Sequence, residues 1–221
     1  MKKHIVCFGD SNTHGYCADP NDSADRTDRF NEDERWTWLL QKALGEEYLV
    51  LEEGLSGRTT VFSDPLHECM SGLDVIYSTL MSHEPVDLLI IMLGTNDCKT
   101  RYRASASVIA KGLDQVIRKA RQNASRHFDL LVISPIHLGV GVGDADFDPE
   151  FDAASVAVSR NLANEYRKIA LQNHAAFLNA SDFAAPSVTD REHMDEKGHA
   201  ALADAIYNKI LALQKGLSHV I

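Results

Sequence analysis

Three things are scarce in this sequence, and each scarcity closes off a class of protein. No apolar run approaches the roughly 18 consecutive residues that a membrane helix needs. Positive charge is in deficit: 32 acidic residues outnumber 22 basic ones, for a net charge of −10. Phosphate backbones are bound by basic clusters, so nucleic acid is excluded as the main partner, and the acidity reads as solubility. There are only four cysteines, Cys7, Cys17, Cys69 and Cys98, with no C-x-x-C pair and no zinc-ligand spacing. They read as reduced thiols in a reducing compartment, with Cys7 as a small core residue in an apolar strand.

Lys2-Lys3 is like the basic start of a signal peptide. The apolar stretch behind it is only Ile5 to Phe8, and Gly9-Asp10 ends it. The expectation is a soluble, cytoplasmic protein with no membrane partner. No internal repeat or linker divides the chain. Its 221 residues, 44% hydrophobic and 24% charged, suit one α/β domain spanning 1–221.

What is present is an alternation. Apolar runs at Ile5–Phe8, Tyr48–Leu51, Leu88–Leu93, Leu130–Ile133 and Ala176–Leu178 read as strands. Between and after them, Trp36–Leu44, Met70–Met81, Ala104–Gln122, Ala153–Leu171 and Lys197–Leu213 read as helices. Leu39, Leu40 and Leu44 share one face of the first helix. Leu73, Ile76, Tyr77 and Leu80 do so in the second, and Ile109, Leu113, Val116 and Ile117 in the third. Short continuous apolar strands alternating with helices predict a five-stranded parallel sheet covered on both faces, a three-layer α/β/α sandwich. Residues 16–35 and 137–152 break the rhythm as long polar loops, which in compact domains are often functional.

Ligands of open parallel sheets bind at the carboxyl ends of the strands. The first strand is followed by Gly9-Asp10-Ser11-Asn12, the second by Gly54-Leu55-Ser56-Gly57, and the third by Gly94-Thr95-Asn96-Asp97. A loop before the last helix carries Asp190-Arg191-Glu192-His193. These parts meet the needs of acyl transfer. A serine hydroxyl needs a base, a histidine base needs a carboxylate to fix its tautomer, and a developing oxyanion needs fixed donors. Three-residue spacing lets Asp190 reach one nitrogen of His193 and leaves the other for Ser11. The N–H groups of Ser11 and Gly57 and the amide of Asn96 are available as oxyanion donors.

Each part alone has a plainer reading. Gly-Asp-Ser is often just a turn, Gly-Thr-Asn-Asp a helix start, and Asp-x-x-His a cap beside a surface histidine. Asp10 and Asp97 either orient backbone or cap. Gly54-Leu55-Ser56-Gly57-Arg58 lacks the second glycine of a nucleophile elbow. Asp144-x-Asp146-x-Asp148 departs from a calcium loop, with Pro149 and Ser155 at the positions of its glycine and glutamate. Gly139-x-Gly141-x-Gly143 is not a dinucleotide fingerprint, and His199 reads as a surface or packing residue. What stands out is the set in order.

Gly9-Asp10-Ser11, Gly57, Gly94-Thr95-Asn96-Asp97 and Asp190-x-x-His193 resemble the four sequence blocks of the SGNH (GDSL-type) hydrolases. Thr27-Asp28-Arg29-Phe30 with Arg35-Trp36, Glu52-Glu53-Gly54-Leu55-Ser56 with Arg58-Thr59-Thr60, and Ile90 to Asp97 resemble its bacterial arylesterase/acyltransferase branch. The likeness covers nearly the whole chain and is weakest over 137–152. Gly57 is one departure, standing where a relative in that branch has an alanine; the backbone donor survives the change. The resemblance implies a flavodoxin-like SGNH hydrolase fold. It implies Ser11 as nucleophile, Asp190 and His193 as its acid and base, and Ser11, Gly57 and Asn96 as the oxyanion hole. It calls for no cofactor and no metal. The implied activity is hydrolysis of small-molecule esters, with short acyl groups on aryl, alkyl or sugar alcohols, and transfer to alcohols alongside. Relatives of that branch form homo-oligomers. The rival from another class is a non-catalytic flavodoxin-like module for a small anion or nucleotide, which has no need of a base facing Ser11. Among enzymes the rivals are a thioesterase and a carbohydrate deacetylase.

Overall fold

A computed structural model describes residues 1–122 and 124–215. Five parallel strands form one sheet in the order β2-β1-β3-β4-β5. They are β1 (Lys3–Gly9), β2 (Tyr48–Gly54), β3 (Leu88–Met92), β4 (Asp129–Ser134) and β5 (Ala176–Asn179). The helices are α1 (Ser11–His14), α2 (Trp36–Leu44), α3 (Gly72–His83), α4 (Ala106–Gln122), α5 (Ala153–Gln172) and α6 (Glu196–Gln214). This strand order is the flavodoxin-like one.

Side chains alternate across the sheet. Val6, Phe8, Leu89 and Ile91 point into a core closed by Ile76 and Leu80 of α3, Ile109 and Leu113 of α4, and Leu162 and Tyr166 of α5. Ile5, Cys7, Ile90 and Met92 point the other way, to Trp36 and Leu40 of α2 and Leu202 and Ile206 of α6. The central strand β3 is buried at every position, which is why it reads as an unbroken apolar run. No described helix is long and apolar enough to cross a membrane.

The structure departs from the sequence expectation in a few places. β2 runs on through Glu52 and Glu53 to Gly54. Both carboxylates have partners there: Glu52 takes Arg35 Nε at 2.7 Å and Glu53 meets His83 at 2.6 Å. The helix expected from Met70 begins at Gly72, because Met70 O accepts from Thr59 N–H and Ser71 bridges to Thr59. Tyr77 in that helix faces outward, at 47% exposure, since it lies off the stripe centred on Ile76 and Leu80. His199 is a buried packing residue: its Nδ1 accepts from Trp36 N–H at 3.4 Å and Phe30 lies against its ring. The four cysteines are free.

Both long loops are fastened to the sheet's carboxyl edge. In 16–35, the Glu34 carboxylate accepts from Ala24 N–H and Asn31 N–H, and Arg29 Nε donates to His14 O. In 137–152, Gly139 N–H donates to Arg191 O at 2.7 Å, and Val142 and Phe151 are buried.

The short α1 is wedged against β2. A Cβ on Gly54 would lie 2.2 Å from His14 N and 2.5 Å from Thr13 C, both backbone atoms that cannot swing away. Gly54→Ala should therefore cost about 1–3 kcal/mol. At about 2–4 °C per kcal/mol for a chain of this size, calorimetry should read a fall of several degrees in Tm. An unchanged midpoint would mean that β2 and α1 do not meet this closely.

Candidate active site

The site is assembled at the carboxyl ends of β1, β2 and β3, and the turn after β1 starts it. Asp10 caps α1: its Oδ1 accepts from Asn12 N–H at 3.1 Å, and its carbonyl accepts from Thr13 and His14. It thus both caps and orients backbone. Ser11 is the first residue of α1, and its N–H has no acceptor among the described residues. Gly15 ends the turn in the left-handed region. Asn12 ties this turn in two directions: its carbonyl accepts from Trp36 Nε1 and its side-chain oxygen from Met194 N–H, each at 3.0 Å.

Met194 belongs to the loop before α6, which carries the other half of the site. Asp190 Oδ1 collects three donors, Ser187 O–H, Glu192 N–H and His193 N–H. Its Oδ2 lies 2.5 Å from His193 Nδ1, and His193 Nε2 lies 2.8 Å from Ser11 Oγ. An ionised carboxylate only accepts, so Nδ1 carries the ring proton and Nε2 is left to accept from the Ser11 hydroxyl. Tyr16, from the first long loop, sets its ring 4.5 Å from the imidazole.

Behind these residues, the turns after β2 and β3 are laced to each other. Arg58 Nη1 donates to Gly9 O at 2.9 Å, and Asn96 Nδ2 donates to Arg58 O at 3.1 Å. Asp97 accepts from the Thr60 N–H and the Thr60 hydroxyl, so it clamps a neighbouring turn rather than capping its own. Asn96 likewise reaches across rather than onto its own helix start. Gly57 adopts φ of +88°, and its N–H has no acceptor among the described residues. Ser11, Gly57, Asn96, Asp190 and His193 border one cleft of about 510 Å³.

Four carboxyls here respond differently to burial. Asp190 stays below its ordinary range, because burial is outweighed by the His193 and backbone hydrogen bonds. Burial raises Asp10 and Asp97 each to about 6, and Glu192 to about 7. Burial opposes charge on His193, but the Asp190 hydrogen bond and the nearby acids outweigh it and raise its pKa. Burial, with His193 and Arg35 nearby, drops His199 to about 3.

The sequence-predicted residues therefore meet in one place, and other candidates do not join them in a relay. Ser56 borders the cleft but is exposed and has no base within hydrogen-bond reach. Asp144 pairs with Arg191 at 3.2 Å, and no described group of three or more His, Cys, Asp or Glu could hold a metal ion. The sequence motifs assign no role to Asn12, Tyr16, Arg58 or Glu192. For Glu192 the only signal was its place inside Asp-x-x-His.

A model of the GDSL-like lipase/acylhydrolase family matches residues 7–201. The chain belongs to that family. Its membership makes it a serine esterase, and its fold agrees. One solved structure is 38% identical with a TM-score of 0.89, covering 99% of this chain and 100% of its own. The M. smegmatis aryl esterase is 31% identical with a TM-score of 0.83, over 96% of this chain and 99% of its own. Est24, a carbohydrate acetylesterase from Sinorhizobium meliloti, is 29% identical with a TM-score of 0.84, over 96% and 100%. Comparison with curated protein sequences gives no match.

Two histidines buried among the described residues, His193 and His199, should behave oppositely in an imidazole NMR titration. His193 should titrate above the usual ~6.5, and His199 should stay neutral as the pH falls toward about 3. Below ~6.5 the unfolded chain takes up a proton that folded His199 refuses, so its burial costs stability increasingly as pH falls. The acid-side stability loss of His199→Leu should accordingly be shallower than that of wild type between pH 6.5 and 4. Parallel curves would place His199 in contact with water.

Proposed function

We propose that this chain hydrolyses short-chain carboxylic esters, acetyl esters first, through an acyl-Ser11 intermediate. The observation that carries the reading is the continuous relay from Asp190 Oδ2 to His193 Nδ1, at 2.5 Å, and from Nε2 to Ser11 Oγ, at 2.8 Å, opening on a cleft. Ser11 Oγ attacks the ester carbonyl carbon while Nε2 takes its proton. Asp190 stabilises the imidazolium. The carbonyl oxygen becomes an oxyanion held by the Ser11 and Gly57 N–H groups and by the Asn96 amide hydrogen not given to Arg58. The intermediate collapses, the C–O bond to the alcohol breaks, and Nε2 returns the proton to the departing oxygen. Water then repeats the sequence on the acyl-enzyme and frees the acid and Ser11. An alcohol in place of water gives transesterification. The named neighbours, an aryl esterase and a carbohydrate acetylesterase, support aryl and sugar alcohols as the leaving groups.

A screen of p-nitrophenyl acyl esters and acetylated sugars tests the substrate class, and turnover should fall as the acyl chain lengthens. His193 must be neutral to take the proton, so kcat/KM should fall as pH drops, along a limb lying above the usual histidine value because its pKa is raised. Asn96→Ala should lower kcat by roughly 10²–10³ with little change in KM, because the charge it meets exists mainly in the transition state. A kcat within a few-fold of wild type, with a lowered Tm, would make Asn96 structural only.

A further inference from the structure

Glu192 is the odd carboxyl of the cleft. Its side chain is only 9% exposed, and it borders the cleft beside His193. No side chain or backbone group among the described residues donates to its carboxylate; its own N–H is spent on Asp190. Lys99, which also borders the cleft, ion-pairs with Glu150 at 2.5 Å. His193 Nε2 lies 3.9 Å from Glu192 Oε1. The Glu192 oxygens are reached from the cleft, so the donor that the protein withholds must come from water or from a bound ligand, and a ligand hydroxyl can take that place.

Its place relative to the reaction says which part of the ligand that is. On the ester-hydrolase reading above, the departing alcohol oxygen must come within hydrogen-bond reach of Nε2 to receive its proton. The acyl oxygen lies away from it, toward Gly57 and Asn96. The carbon skeleton of the alcohol therefore passes beside Glu192. A plain alkyl chain there would press apolar surface on an undonated carboxylate. A hydroxyl on the carbon next to the ester oxygen would donate to it.

We infer that Glu192 is a specificity-determining residue that accepts a hydrogen bond from a hydroxyl adjacent to the acylated oxygen, selecting esters of diols and polyols over esters of simple alcohols. This inference rests on the proposed ester hydrolysis.

The minimal test compares 2-hydroxyethyl acetate with propyl acetate, of similar size but lacking the hydroxyl, and with acetylcholine as a cationic ester. Wild type should favour the hydroxyl ester in kcat/KM. Assayed at about pH 8.5, where Glu192 is ionised, Glu192→Leu should lower the ratio of hydroxyl ester to propyl ester by about tenfold to a hundredfold, the loss expected for a hydrogen bond to a charged acceptor. Glu192→Gln keeps an acceptor oxygen and should fall between. Any general effect on His193 cancels in the ratio. A ratio unchanged in both variants overturns the inference. So does a loss confined to acetylcholine, which would make Glu192 a selector of charge. Wild-type inactivity on all three esters would overturn the hydrolase reading itself; activity without the ratio change overturns only the role of Glu192.

Discussion

The hydrogen bond from Ser11 Oγ to His193 Nε2 joins residues 182 positions apart, and the sheet order is what makes it possible. β1 lies inside the sheet, between β2 and β3. Its carboxyl end thus lies at the reversal of strand order, where open α/β sheets bind ligands. Each of these three strands contributes a turn, and the turns are tied to one another through backbone: Arg58 to Gly9, Asn96 to Arg58, Asp97 to Thr60. The loop before α6 then docks onto this frame through Met194 N–H and Asn12.

Burial gives the site its electrical character, and the two acids beside His193 answer it in opposite ways. Asp190 is given donors by Ser187, Glu192 and His193 and remains a carboxylate. Glu192, two residues on, is given none and is pushed up to about 7. The two acids flank one imidazole, with Oδ2 of Asp190 at Nδ1 and Oε1 of Glu192 on the Nε2 side. The same logic separates the histidines: His193 gains a carboxylate and is raised, whereas His199 gains only a backbone donor and is lowered.

The layers of the fold were legible because apolar periodicity reports burial directly. The helix Trp36–Leu44 and the buried strand from Leu88 follow from it. Legibility failed where partners distant in sequence decide. Glu52 and Glu53 look like a strand's end, yet Arg35 and His83 let the strand continue. The four-residue α1 is too short to show a period, and its existence rests on the Asp10 cap and the contact with Gly54. At the site, chemistry-bearing residues could be nominated from local motifs. Tyr16, Asn12 and Arg58 could not, since their roles depend on which strand ends lie side by side.

The central claim is that burial and the Asp190–His193 pair turn the Ser11 hydroxyl into a nucleophile. A fluorophosphonate tests it directly, because the reagent phosphonylates an activated serine oxygen and releases fluoride. Intact-mass and peptide mapping should find one label per chain, on Ser11, with labelling slowed at least a hundredfold in His193→Ala. A label on Ser56 or Ser134, or equal labelling rates in wild type and His193→Ala, would contradict the account.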